Sequence, residues 1–70
     1  DRGLVRVGIA DNDKTQYTKI LIDNLKDKCR ILELEESEIQ GQLINAKIDY
    51  AISIDKDFTK ELLAMKDVQV

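Results

Sequence analysis

The stretch Leu4-Val5-Arg6-Val7-Gly8-Ile9-Ala10-Asp11-Asn12-Asp13 decides the fold, because it joins a strand pattern to a helix start. Every second residue of Leu4 to Ala10 is β-branched, which favours a pleated strand. The polar turn after Ala10 ends that strand. Asp13 with Gln16 three places on is typical of a capping box, so we expect a helix to begin at Asp13.

The rest of the chain repeats this strand-helix unit. The first helix is predicted to run to about Lys28, and its buried face is predicted to hold Tyr17, Ile20, Leu21 and Leu25. A second strand follows over Arg30 to Leu34. Ser37 and Gln40 then form a second capping-box pattern, and the helix that they begin is expected to bury Ile39, Leu43 and Ala46.

The last third of the chain holds another strand and another helix. Asp49 to Ile54 is nearly all apolar, as expected for a central parallel strand that is covered on both faces. Asp57 is predicted to cap a third helix, whose buried face holds Phe58, Leu62 and Met65. A fourth strand is predicted to begin at Asp67.

This alternation predicts an α/β fold with a mainly parallel sheet. Strands that alternate with helices are joined by crossover connections, which place the helices on the faces of the sheet. We expect a small three-layer βαβαβαβ unit with strand order 2-1-3-4. Residues 1–70 form a single domain in this prediction.

Composition excludes several function classes. The 70 residues carry 11 Lys and Arg against 14 Asp and Glu, a net charge of −3, so no basic footprint for nucleic acid is expected. No apolar run approaches the roughly 20 residues of a membrane span. The single cysteine, Cys29, excludes an internal disulfide, and the chain has no histidine to act as a base or metal ligand.

Four aspartates are expected to gather at one edge of the sheet. Asp11 and Asp13 follow the first strand, and Asp55 and Asp57 follow the third, so all four lie where parallel sheets bind ligands. One interpretation makes Asp13 and Asp57 helix caps and leaves the other two as solvated turn residues. A second makes the cluster a site for Mg²⁺ or Ca²⁺.

A third interpretation is a receiver-like signalling domain with Asp55 as phosphoacceptor. The separation of the two acidic pairs suits it. Lys56-Asp57-Phe58, however, leads directly into a helix, where a receiver has a turn of Met-Pro type. A receiver also needs a later Thr or Ser and a Lys on two further strands. This sequence has no place for either.

The remaining candidate residues indicate no enzyme. Ser37 and Ser53 have no base to activate them in the sequence pattern, and Gly8 lies inside a strand rather than in a phosphate-binding loop. Cys29, without a histidine, is more typical of a small apolar filler at a strand entrance than of a nucleophile. The sequence therefore predicts no catalytic residue and no cofactor.

Three segments of the chain share their order and spacing with a known transporter family. Val7 to Asp13, with Thr18 in the next helix, gives a strand, an Asp-x-Asp turn and a helix with a hydroxyl side chain. Gly41 to Ala51 leads into the third strand, and Ile52 to Leu63 continues through it into the last helix. Together they resemble the extracytoplasmic domain of ABC-2 type transporter permeases.

The last of these segments is the most specific. It is similar to the family signature isoleucine-proline-lysine-glycine-phenylalanine-serine. Asp55 stands here in place of the usual proline and Asp57 in place of the usual glycine, while Ala46 stands where glycine is frequent. The resemblance runs from about Leu4 to Val70.

The resemblance implies a non-catalytic role in ATP-driven export. The chain would be the first half of a soluble domain, inserted between two membrane helices of a permease in the cell membrane and exposed on the extracytoplasmic side. It would contribute to gating, substrate contact or protomer association. The implied partners are the ATP-binding subunit, reached through the full-length permease, a second permease protomer and an exported substrate.

Both ends of the sequence read as those of a fragment of a longer protein. The chain begins without Met and ends within the alternation Val68-Gln69-Val70. An unpaired edge strand can pair with another copy, so we expect dimerisation through Asp67 to Val70 that depends on concentration.

Overall fold

The computed structural model describes residues 3–65, in which strands and helices alternate. The strands are β1 (Arg6–Asp11), β2 (Arg30–Glu33) and β3 (Tyr50–Ile54), and the helices are α1 (Gln16–Leu25), α2 (Ile39–Ile44) and α3 (Phe58–Met65). A short 3-10 turn, Glu36–Glu38, leads into α2. The predicted α/β class is confirmed. No helix in the described range is long and apolar enough to cross a membrane.

The sheet is parallel and its strands lie in the order β2-β1-β3. Arg6 lies opposite Arg30 on one side, and Asp11 lies opposite Ile54 on the other. The order predicted for the first three strands is confirmed, and the fourth strand, predicted from Asp67, lies outside the described residues. We expected β3 to be covered on both faces. Among the described residues this prediction does not hold, since the Tyr50 side chain is 65% exposed.

The buried residues are aliphatic, and one cluster of them lies on one face of the sheet while Ile48 is buried on the other. Val7, Ile9 and Ile54 form a buried cluster with Ile22 of α1, and half-buried Phe58 of α3 packs against it. On the other face, Gly8 lies beneath the side chains of Leu34 and Ile48, which flank α2 in the sequence. A Cβ at Gly8 would come within 2.6 Å of the Ile48 side chain, so the missing side chain lets this layer approach the sheet.

Helix α1 forms where predicted but turns a different face inward. Thr18 and Ile22 are its buried residues, while Tyr17, Ile20 and Leu21 are exposed. Of the predicted face only Leu25 turns inward, where it is half-buried and packs against the core. The buried face of α1 is displaced by one residue from the predicted face. The Thr18 hydroxyl donates a hydrogen bond to Asp11, which holds the Thr18 side chain on the inner side of the helix. The helix also ends at Leu25, before the predicted end at Lys28, and residues 26–29 form a turn into β2.

Helix α2 begins and ends differently from the prediction. The Glu35 amide donates to the Glu38 carboxylate over 2.9 Å, but this capping box belongs to the Glu36–Glu38 turn, and Glu38 at the N-cap of α2 makes no side-chain capping bond to that helix. The predicted box of Ser37 and Gln40 is therefore wrong. None of the residues of α2 is fully buried, and Leu43 is 40% exposed. Ala46 lies beyond the helix with a φ of 58°, so the predicted stripe through Ala46 is wrong.

Helix α3 is covered mainly at its start. Thr59 is buried and Phe58 is half-buried, but Leu62 and Met65 are 40% and 67% exposed. The predicted buried face is therefore correct only at Phe58. At the carboxyl edge of the sheet, hydrogen bonds join the turn after β1 to the end of β3 and to the starts of α1 and α3, and the candidate site lies there.

Candidate functional site

Four segments meet at the carboxyl edge of the sheet. The turn after β1 lies beside the end of β3, where the Asn12 amide donates to the Ile54 carbonyl over 3.0 Å. The first turns of α1 and α3 approach the same turn through their threonines. Hydrogen bonds among Asp11, Asp13, Thr15, Thr18 and Thr59 join these segments, and we call these five residues the Asp-Thr cluster.

Asp11 organises the turn that follows β1. Its Oδ1 accepts the amides of Asp13 and Lys14 over 3.0 and 2.8 Å, and its Oδ2 accepts the Thr18 hydroxyl over 2.6 Å. Lys14 takes a left-handed conformation, with a φ of 56°, to make its bond. Partial burial opposes ionisation, but the bonds from Lys14, Thr18 and Asp13 outweigh it and hold the pKa of Asp11 below its ordinary value.

Thr15, and not Asp13, caps helix α1. The Thr15 Oγ1 accepts the Thr18 amide over 3.3 Å, and the Thr18 Oγ1 accepts the Thr15 amide over 3.1 Å. This is a reciprocal capping box with threonine at both positions. The predicted box of Asp13 and Gln16 is therefore wrong, because the Asp13 carboxylate is bound to another helix.

Asp13 caps helix α3 from a distance in the sequence. Its Oδ2 accepts the Thr59 amide over 3.0 Å and also the Thr59 hydroxyl. The Thr15 and Thr59 hydroxyl oxygens lie 2.7 Å apart, which joins the first turns of the two helices. A carboxylate at this position is favoured by the positive end of the α3 dipole. The cap predicted for Asp57 is thus supplied by Asp13.

The four predicted site aspartates separate into two pairs. Asp11 and Asp13 lie together in the Asp-Thr cluster. Asp55 is exposed, and within residues 3–65 Asp55 and Asp57 accept hydrogen bonds through their backbone carbonyls, from the amides of Phe58 and Glu61. Among residues 3–65, no group of three or more acidic or cysteine side chains is arranged to hold a metal ion.

A second polar group lies at the same edge. The Glu36 Oε1 accepts the Asn12 side-chain amide over 2.8 Å and also accepts the Ser53 hydroxyl. The structure therefore gives Ser53 a carboxylate partner that the sequence pattern did not reveal. The bonds from Ser53 and Asn12 lower the pKa of Glu36, which makes that carboxylate a weaker base.

A cavity of about 470 Å³ opens between α1 and the segment after β2. Its floor includes the apolar side chains of Ile9, Ile22 and Leu34. Its lining also holds three lysines and five carboxylates, and the Lys26 ammonium lies 3.7 Å from Asp23 and 3.4 Å from Glu33. Carboxylates therefore outnumber lysines around this cavity, which disfavours an anionic ligand.

Thr15 and Thr59 were not among the predicted site residues, and Thr18 was named only through the resemblance, although a local signal for two of these threonines exists. Thr15 and Thr18 have capping-box spacing, but Asp13 and Gln16 have it too, and only the tertiary contact with Thr59 separates the two choices. Cys29 is half-buried and packs against the core, as an apolar filler does. Comparison of the chain with protein-family models, curated proteins and solved structures finds no match.

Proposed function

We propose that the chain is a non-catalytic extracytoplasmic module of an ABC-2 family exporter permease. The Asp-Thr cluster is the observation that carries the proposal. Asp11 and Asp13 form the Asp-x-Asp turn of the resemblance, Thr18 is the hydroxyl residue of the following helix, and Thr59 stands at the serine of the signature. Residues far apart in the family pattern therefore hydrogen-bond to one another.

This contact gives the family pattern a structural reason. Asp13 and Thr59 are 46 residues apart in the sequence, yet the Thr59 amide donates directly to the Asp13 carboxylate. A pattern whose separate parts meet in one hydrogen-bonded group is more informative than either part alone. In this proposal the short polar motifs supply the hydrogen bonds that join two helices to a strand.

The conformation of Ala46 supports the same proposal. Ala46 stands where glycine is frequent in the resembling family, and its φ of 58° lies in the left-handed region that favours glycine. The backbone at this position thus has the property that a frequent glycine indicates. Alanine adopts the conformation here at a cost in stability.

A non-catalytic role agrees with the state of the carboxylates. Both oxygens of Asp11 accept hydrogen bonds, the Oδ2 of Asp13 accepts bonds from Thr59, and the bonds to Asp11 favour its charged form. Both carboxylates are engaged in holding the fold, and the lowered pKa of Asp11 makes that group a weak proton acceptor. The module would instead contribute to gating, substrate contact or protomer association in ATP-driven transport.

The proposal includes a location and partners. The chain would lie outside the cytoplasm as part of a permease in the cell membrane, and the ATP-binding subunit would act on it through the full-length permease. A second protomer and an exported substrate complete the partners, and no nucleic acid is among them. In this proposal a fourth strand lies beside β3 and extends the sheet order to 2-1-3-4.

The coding region on both sides of this sequence provides the direct test. The expected result is an apolar stretch of about 20 residues shortly before the domain and several more after it, found with a sliding hydropathy window. A start codon directly before Asp1 with further strand-helix units and no apolar stretch would overturn the proposal.

The receiver-like alternative is favoured by one observation, the exposed Asp55 at the end of β3 in a parallel sheet of order β2-β1-β3. Incubation with acetyl phosphate and Mg²⁺ separates the two functions. The permease proposal predicts no gain in mass. A gain of one phosphoryl group that disappears in the Asp55→Asn variant would establish the alternative instead.

A further inference from the structure

The two edges of the sheet carry opposite charge. The segments 11–15, 33–38 and 55–57, at the carboxyl edge, hold eight carboxylates and two lysines. The segments 3–6, 26–30 and 45–49, at the amino edge, hold five Lys or Arg residues and two aspartates. An acidic chain therefore presents one basic surface, and we call these three segments the amino edge.

Most of the positive charge of the amino edge faces solvent. Arg6 is neutralised by Asp49, with Nη2 to Oδ1 at 2.9 Å, and Lys26 lies near Glu33. Lys28, Arg30 and Lys47 are exposed and form no ion pair among residues 3–65.

The basic residues also form a groove. Arg6, Arg30 and Lys47 line a cavity of about 270 Å³ with the apolar side chains of Ile31, Leu32 and Ile48. Asp49 already neutralises Arg6, which leaves Arg30 and Lys47 as the cations of this groove that form no ion pair among residues 3–65. These two charges would attract a negative group into the groove.

Exposed apolar side chains border the same edge. Tyr50, which begins β3, is 65% exposed, and Ile44, which ends α2 just before the 45–49 segment, is 73% exposed. Leu4 and Val5, before β1, are 44% and 41% exposed. Basic side chains beside exposed tyrosine and aliphatic residues are the composition that binds the interfacial layer of a membrane.

We propose that the amino edge docks on the headgroup layer of a bilayer that contains anionic phospholipids. Lys28, Arg30 and Lys47 would contact the lipid phosphates, while Tyr50 and Ile44 would enter the interface. The carboxyl edge, with its excess of carboxylates, would be repelled and would point away from the bilayer. The choice of a bilayer over another acidic partner rests on the proposed function, because that places the chain next to a membrane.

The net charge makes this proposal specific. At −3 the whole chain is repelled by an anionic surface, so nonspecific attraction cannot produce binding. Binding requires that the chain orient its basic edge toward the lipid. The strength of binding should then depend on where a positive charge lies and not on the total charge.

Vesicle co-sedimentation tests the proposal with the full 70-residue chain. We expect binding to vesicles of phosphatidylcholine with one third phosphatidylglycerol, weakening as salt is added, and little binding to phosphatidylcholine alone. The double variant Arg30→Gln/Lys47→Gln should lower the partition coefficient about 25-fold, since each basic residue near such a surface contributes about fivefold. Tyr50→Ser should reduce the binding that persists at high salt.

The matched control removes the same charge from the opposite edge. Lys14→Gln/Lys56→Gln changes the net charge equally and should alter binding by less than about twofold. Circular dichroism confirms that each variant is folded. Equal losses in the two double variants, or no preference of the wild-type chain for anionic vesicles, would overturn the proposal.

A second readout locates the contact. With nitroxide-labelled lipid in the vesicles, amide NMR signals of Val5, Lys28 and Lys47 should broaden while those of Glu36 and Lys56 stay sharp. Equal binding to soluble polyglutamate would assign the edge to an acidic protein partner and overturn the bilayer as occupant. Failure in any of these measurements leaves the hydropathy test of the permease proposal unaffected, so the two proposals fail separately.

Discussion

The carboxyl edge and the amino edge of the sheet use aspartate in different ways. At the carboxyl edge, Asp11 and Asp13 accept amides and hydroxyls from Thr18 and Thr59, which are 0% and 8% exposed. At the amino edge, Asp49 pairs with Arg6 while both side chains stay about two-fifths exposed. Asp49 also accepts the Arg6 backbone amide over 2.9 Å, so the two edges differ in the burial of the donors and not in the presence of a backbone donor. The difference teaches that a carboxylate stabilises a fold most where the groups that it satisfies are buried.

The largest expected effect follows from removing Asp11. Asp11→Ala leaves two turn amides and the Thr18 hydroxyl without their acceptor, and Thr18 is fully buried. We expect the free energy of unfolding to fall by about 2–4 kcal/mol, since unsatisfied buried groups and bonds to charged acceptors each contribute on this scale. Urea unfolding followed by circular dichroism measures the loss.

Asp55→Ala provides the control for that comparison. Asp55 lies at the same edge but is exposed, so its replacement should change the free energy of unfolding by less than about 0.5 kcal/mol. Similar losses for the two variants would show that the Asp-Thr cluster does not hold the edge together.

The second effect in size concerns the buried hydroxyl itself. Thr18→Val keeps the shape of the side chain but removes the donor to Asp11 and the acceptor of the Thr15 amide. We expect a loss of about 1–2 kcal/mol in unfolding free energy. Thr18→Ser, which retains the hydroxyl, should recover most of it, and a Ser variant as weak as Val would indicate that packing of the methyl group matters instead.

Much of the structure at the carboxyl edge could not be predicted from the sequence. Strand-helix alternation and the order of the first three strands follow from apolar periodicity, which is a local signal, and both predictions are confirmed. The cap assignments were wrong because the 11–15 turn offers several competent capping side chains. Only the approach of Thr59 in α3, 46 residues after Asp13, engages the Asp13 carboxylate and leaves Thr15 to cap α1.

The same reason explains the error in the buried face of α1. Tyr17, Ile20 and Leu21 form a regular apolar stripe, and a pattern method places such a stripe in the core. The structure buries Thr18 and Ile22 instead, because a polar residue can lie inside when a partner such as Asp11 satisfies its hydroxyl. The spacing of residues along one helix does not reveal which residue of another element will be such a partner.

The third prediction compares the two residues, one at each edge, whose backbone is in the left-handed conformation. Ala46→Gly should raise the free energy of unfolding by about 1 kcal/mol, because alanine at a φ of 58° is strained and glycine is not. Lys14→Gly, at a φ of 56°, should give a gain in the same direction. Ala64→Gly within α3 serves as control and should lower stability by up to about 1 kcal/mol. A loss of stability in Ala46→Gly would contradict the argument.

The smallest expected effect tests the amino edge through pH. The side-chain and backbone hydrogen bonds from Arg6 lower the pKa of Asp49 to about 2. Because the pKa in the folded state lies below that in the unfolded chain, the stabilisation is present above about pH 4 and is lost as pH falls toward 2. Asp49→Asn should therefore reduce stability at pH 7 and differ little from the wild-type chain at pH 2, as measured by urea midpoints. The loss should be smaller than that of Thr18→Val and should shrink with added salt, since the pair is exposed and screened. An equal difference at pH 7 and pH 2 would mean that Asp49 acts through its neutral contacts, and the contrast between the two edges would then not be one of ionisation.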